Sequence, residues 1–107
     1  MDLKEKHCVP CEKGTKSLNT EQIELYKKKV SNEWKVVDNK KIRKNYPFAN
    51  FKRGMAFAQD IALLAENEGH HPDLCIHYHS VDVELSTHSI GGLSANDFIL
   101  AAKIDEL

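Results

Sequence analysis

No stretch of this chain is long and apolar enough to cross a bilayer. Every hydrophobic run falls well short of the roughly 20 residues that a membrane-spanning helix needs, and the charged start MDLKEKHC lacks the apolar segment of a secretory signal. A surplus of charge is missing as well. The 15 Lys and Arg are matched by 16 Asp and Glu, a formal net charge of -1, so the cationic excess that draws proteins to nucleic acid or to anionic membrane is absent. Cysteine is scarce and odd in number: three residues cannot complete a disulfide framework, which predicts a reducing, cytoplasmic setting. The chain has no internal repeat and no low-complexity tract. What is present is ordinary for a globular protein, with 41% hydrophobic and 29% charged residues. At 107 residues the chain supports one core and not two.

Residues 1–17 read as an N-terminal arm ahead of a domain at 18–107. Within the arm, Cys8 and Cys11 form a CxxC next to His7. Three such donors could be part of a zinc site, but a tetrahedral ion takes four ligands, and no second CxxC or HxxxH follows. The arm is therefore expected to be flexible, with exposed thiols. The domain opens with a helix over 20–30: Asn19 is the N-cap, Gln22 reaches back, Leu18 packs on Ile23, and Ile23, Tyr26 and Val30 share a face. WKVVD and KIRKNYPF read as an antiparallel strand pair turning at Asn39-Lys40. Asn50 caps the longest helix, whose stripe Phe51, Met55, Ala58, Ala62 and Ala65 is expected to be core. Gly69 ends that helix in the left-handed conformation. Glu66 then falls in the last turn, where the negative end of the helix dipole does not favour a carboxylate. The final helix starts at Ser94 with Asp97 as its capping-box partner and Phe98, Ala101 and Ala102 on its buried side.

Residues 70 to 88 hold five of the six histidines. In VDVELS, Val81, Val83 and Leu85 alternate with polar residues, the pattern of a half-buried strand. With His79-Ser80 as the hairpin loop, Tyr78, Ile76 and Leu74 face Val81, Val83 and Leu85 on one apolar face, and His77 lies opposite Asp82 on the polar face. The same register, carried further, sets His71 against His88. The histidines thus divide into two groups: His77 and His79 at the exposed hairpin, and His70, His71 and His88 at its other end beside Glu66. The element order predicts an α+β fold, α-β-β-α-β-β-α, a four-stranded antiparallel sheet with three helices on one face.

Three imidazoles and a carboxylate permit metal binding or proton transfer. Adjacent His70 and His71 diverge in extended chain and lack the i, i+4 spacing that aims two rings at one ion, so no metal is expected there. Cys75 projects away from the histidine rim, and no nucleophile elbow occurs. General acid–base chemistry fits better, because histidine gains and loses protons near neutral pH.

The spacing Glu66-xxx-His70-His71-Pro72, then Tyr78, His88 and Asp97, resembles the signature of the pterin-4a-carbinolamine dehydratases. STHSIGGLSANDF is similar to that family's STH...GLS..D segment, and Trp34 and PFANF sit where members carry similar residues. Asn96 and Ile90 depart from the polar or basic residues of animal members. The resemblance implies a hydro-lyase that removes water from 4a-hydroxytetrahydropterin to give quinonoid dihydropterin, without metal or organic cofactor, in pterin recycling for aromatic amino acid hydroxylases. It also implies that His70, His71 and His88 are catalytic and that Glu66, Thr87, Ser89, Asp97 and Trp34 lie in or near the pterin pocket. Open sheet edges, which members pair, imply a homodimer or homotetramer. A non-catalytic dimerisation cofactor on the same fold is the alternative, with a His/Cys metal-binding protein after it.

Overall fold

The computed structural model describes residues 2–11 and 14–107. Helix α1 is Thr20–Lys27, strand β1 Lys35–Val37, β2 Lys41–Pro47, α2 Phe51–Glu68, β3 Asp73–Ile76, β4 Ser80–Leu85 and α3 Ala95–Ile104, with short 3₁₀ turns at Leu3–Glu5 and His88–Ile90. The strands form one antiparallel sheet in the order β1-β2-β4-β3. Burial alternates along them. Ile42, Val81, Val83 and Leu85 are fully buried, with Tyr46, Leu74 and Ile76 packed against the same core, whereas Arg43, Asn45, Asp73 and Cys75 are exposed. Because side chains alternate between faces, the helices lie on one side of the sheet and its other side meets water. This is the α+β architecture that the element order predicts.

The caps form as local chemistry dictates. Asn19 accepts from Gln22 N–H, and the Gln22 side chain accepts from Asn19 N–H, both at 2.9 Å. Asn50 accepts from Arg53 N–H at 2.9 Å. Helix α1 ends at Lys27, shorter than expected, and residues to Val30 continue as turns. The β1–β2 turn is centred on Asp38 and Asn39, both left-handed (φ 54° and 55°), one residue earlier than expected. Asn and Asp tolerate that conformation better than Lys.

Helix α2 is rotated from its expected face. Gly54, Ala58, Ile61 and Ala65 are buried, while Phe51 and Ala62 are exposed. Phe57 decides this, packing 4.7 Å from the Tyr46 ring and 5.1 Å from Phe48, and Ile61 and Leu64 follow on the same side. Larger apolar side chains lose more on exposure than alanine, so they claim the core.

The last hairpin also departs from expectation. Leu74 pairs with Val83 and Cys75 with Asp82, a slip of two residues that makes Tyr78-His79 the loop. Ser80 is recruited into β4 by pairing with Pro47 of β2, and the His79 carbonyl accepts Phe48 N–H at 2.7 Å. A slip of two leaves every side chain on its expected face, yet it moves Tyr78 to the tip, where it is 71% exposed.

Among the described N-terminal residues, the thiols are not exposed as expected. Leu3 is buried in the core, and Cys8 and Cys11 are half-buried. Two acceptors hold this segment. Glu68 accepts Cys8 N–H at 2.8 Å and pairs with His7 Nδ1 at 2.9 Å, and Asn96 exchanges hydrogen bonds with the backbone of Val9.

Candidate active site

The site is built where α2 ends. Gly69 takes the left-handed conformation (φ 68°), and the Ala65 carbonyl accepts the N–H groups of both Gly69 and His70. Glycine adopts this turn with no Cβ penalty, and the turn sends the two following side chains apart. His70 turns inward, its side chain 11% exposed, and His71 turns out to 60%. His71 Nε2 lies 2.5 Å from the Glu66 carboxylate, which gives that acidic residue a partner at the unfavourable end of the helix.

Inward, His70 meets Asp97. Nε2–H of His70 donates to Asp97 Oδ1 at 2.6 Å, and the carboxylate has no exposure to solvent. Its other oxygen, Oδ2, accepts the Ser94 N–H and the Thr87 hydroxyl, each at 2.9 Å. The Thr87 proton is thereby committed, so Ser94 Oγ is the donor in the 2.8 Å contact between the two hydroxyls. Asp97 is therefore at once the capping-box partner of Ser94 at the start of α3 and the holder of His70.

Thr87 precedes His88. A bridge between Thr87 and Gly92 closes the loop that carries His88, with Gly91 left-handed at φ 67°. The Asp97 carboxylate thus ties both histidine-bearing segments, remote in the chain, to one point. A second approach runs outside: His88 Nε2 stands 3.9 Å from Asp73 Oδ2, in place of the expected opposition to His71. His88 is 77% exposed, and its ring makes no hydrogen bond among the described residues. A cleft of about 410 Å³ opens beside it, lined by Ser86, Thr87, His88 and Gly91 together with Asp38 and Lys41. His70 and His71 do not line that cleft, and Ser89 is exposed next to His88.

Trp34 lies elsewhere. Its ring is fully buried and Nε1–H donates to Asp105 Oδ2 at 2.9 Å, so it cannot wall a pocket. Asp105 also accepts from Lys44 at 2.7 Å and from the Tyr46 hydroxyl at 2.5 Å. Burial, then the Asp105 contact, pushes the Tyr46 phenol strongly up, which keeps it a neutral donor.

The sequence did not reveal the anchoring role of Glu68 and Asn96, which fasten residues 7–9 beside the start of α3. Burial opposes ionisation of Glu68, but the Cys8 N–H, His7 and Lys103 outweigh it and hold the carboxyl below its ordinary range. Burial first, then the charges of Glu68 and Asp97, raises the Cys8 thiol to about 12. No local motif marks Glu68, because its partners lie some 60 positions away in the chain.

A buried carboxylate–imidazole couple, with two more imidazoles carried at the same end of the sheet, is an arrangement able to pass protons. The family model described as Pterin 4 alpha carbinolamine dehydratase matches residues 16–107. A protein of Alkaliphilus metalliredigens (strain QYMF) is 41% identical over 98% of this chain and 95% of its own. One of Rickettsia canadensis (strain McKiel) is 46% identical over 96% and 94%. Both carry the provisional name pterin-4-alpha-carbinolamine dehydratase. The crystal structure of a transcriptional coactivator/pterin dehydratase from Brucella melitensis superposes with a TM-score of 0.78 at 30% identity, covering 84% of this chain and 96% of that one. The chain belongs to the pterin-4a-carbinolamine dehydratase family, and with it to the hydro-lyases.

Proposed function

We propose that His70, His71 and His88 carry out the dehydration of 4a-hydroxytetrahydropterin by proton transfer alone. The elimination needs one proton delivered to the departing 4a-hydroxyl and one removed from N5 as the C4a–N5 double bond forms. Water and quinonoid dihydropterin result, with no electron exchanged and so no requirement for a redox cofactor. The observation that carries this reading is the shared Asp97 carboxylate, which receives His70 through one oxygen and the residue before His88 through the other.

The Asp97 contact supports one assignment of the roles. A buried carboxylate that accepts Nε2–H holds His70 in one tautomer, leaves Nδ1 as the proton acceptor, and stabilises the imidazolium that forms. His70 is accordingly the base toward N5. His88, with both ring nitrogens uncommitted among the described residues, delivers the proton to the hydroxyl. Glu66 orients His71 at the rim, and Thr87 and Ser89 flank the bound ring. Each proton transfer contributes about 10²–10⁴ in rate.

The same reading sets the enzyme in the cytoplasm, serving an aromatic amino acid hydroxylase. Support comes from three unpaired thiols and from the lack, among the described residues, of a helix able to cross a membrane. The open edges of β1 and β3 support a homodimer or homotetramer. The test is direct: generate the carbinolamine with a hydroxylase and follow its decay with and without the protein. Acceleration is expected. No acceleration, or full activity in a His71→Ala/His88→Ala double variant, overturns the proposal.

A further inference from the structure

The water-facing side of the sheet carries a second group of titratable side chains. Cys75 on β3 pairs directly with Asp82 on β4, and His77, two residues on, projects from the same side. A donor atom from each of the three lies within 4.8 Å of the other two. His77 Nε2 is 2.9 Å from Asp82 Oδ2. Asn45, opposite Asp82 on β2, donates to Oδ1 at 2.7 Å, so the oxygen turned to His77 is Oδ2.

We propose that Cys75, His77 and Asp82 form a Zn²⁺ site with its fourth position open to water or an added ligand. One sulfur, one nitrogen and one oxygen donor suit a borderline-soft divalent ion and not Mg²⁺ or Ca²⁺, which take oxygen almost alone. Donors at zinc bonding distances in a tetrahedron stand about 3.3–3.8 Å apart. Rotamer adjustment reaches that spacing, with the 2.9 Å His77–Asp82 contact opening to admit the ion, because all three side chains keep solvent access while the hairpin backbone stays fixed by its ladder. Binding displaces the Cys75 thiol proton and any proton on His77. Arg43, the neighbouring cation, is drawn to Glu84 at 3.4 Å and makes no hydrogen bond to Asp82 among the described residues. The other thiol group is built differently. Cys8 and Cys11 both contact Asn96, and His7 is engaged by Glu68.

The probe is Co²⁺, whose thiolate charge-transfer and visible d–d bands report a tetrahedral sulfur-containing site. In a Cys8→Ser/Cys11→Ser background, where Cys75 is the only thiol, a single equivalent of Co²⁺ is expected to produce both bands and Zn²⁺ to bleach them. Cys75→Ser in that background abolishes them, and His77→Ala and Asp82→Asn each weaken binding at least about tenfold. Bands that survive Cys75→Ser overturn the site. So does their absence from the background protein, or affinity that changes less than this in His77→Ala or Asp82→Asn.

Discussion

The Asp97 carboxylate lies 2.6 Å from His70 Nε2 and is sealed from solvent, so the charge nearest the proposed base has no water to compensate it. Asp97→Asn keeps the shape and removes the charge. Its amide has one acceptor oxygen for the three donors His70, Thr87 and Ser94. The expected result is a kcat lower by about 10²–10⁴ with KM little changed. A stability loss of about 1–3 kcal/mol accompanies it. Steady-state kinetics and a urea melt on the same preparation check the two effects separately.

Glu66→Gln should behave differently. Both partners of the Glu66–His71 pair are largely exposed, 77% and 60%, and surface pairs contribute about 0–1 kcal/mol. The melting transition is therefore expected to stay in place while kcat falls by about tenfold as His71 loses its orienting partner. A large loss of stability, or unchanged kcat, contradicts the assignment.

Trp34→Phe asks whether this ring contacts the substrate or only braces Asp105. The change removes a donor to the Asp105 carboxylate while keeping most of the buried ring. Stability should drop by about 1.5–3 kcal/mol, the range for a hydrogen bond to a charged group. KM for the pterin should not move. A raised KM at unchanged stability would return Trp34 to the pocket.

The attachment of residues 7–9 to Glu68 carries its own acid dependence. The Glu68 carboxyl is depressed in the folded state from an ordinary value of 4.5. Its stabilising contribution is therefore complete above that value and is lost as pH falls through the lower, folded one. Hydrogen exchange at the Cys8 amide should stay protected at neutral pH and lose protection selectively in acid. Glu68→Gln should remove that selectivity. Protection that is independent of pH in the native chain excludes Glu68 as the anchor.

How much of this was legible beforehand depends on the range of the interactions. Asn19, Asn50, Gly69 and the Ser94–Asp97 box act within one helical turn, so their residue types announce them. The faces of the last hairpin were legible from alternation. Its register was not, because a slip of two residues preserves the alternation and only the pairing of Ser80 with Pro47 selects one alignment. In the site, Glu66, His70, His71, His88 and Asp97 fall at one end of the fold through local turns and a single shared carboxylate. Trp34 was misplaced because nothing near it in the chain shows that its partner is Asp105, 71 positions away.

Helix α3 has a carboxylate at each end that neighbouring elements grip: Asp97 by Thr87 and His70, and Asp105 by Trp34, Lys44 and Tyr46. At 1.5 Å per residue it is a strut about 15 Å long, clamped at both tips. A replacement at Lys44 or Tyr46, far from any pterin, would loosen one clamp and let the rod pivot, and the misalignment would surface at its other tip, in the aim of an imidazole. Residues that touch no substrate would then have to drift together through descent, each constrained by the angle at which its neighbours hold the rod.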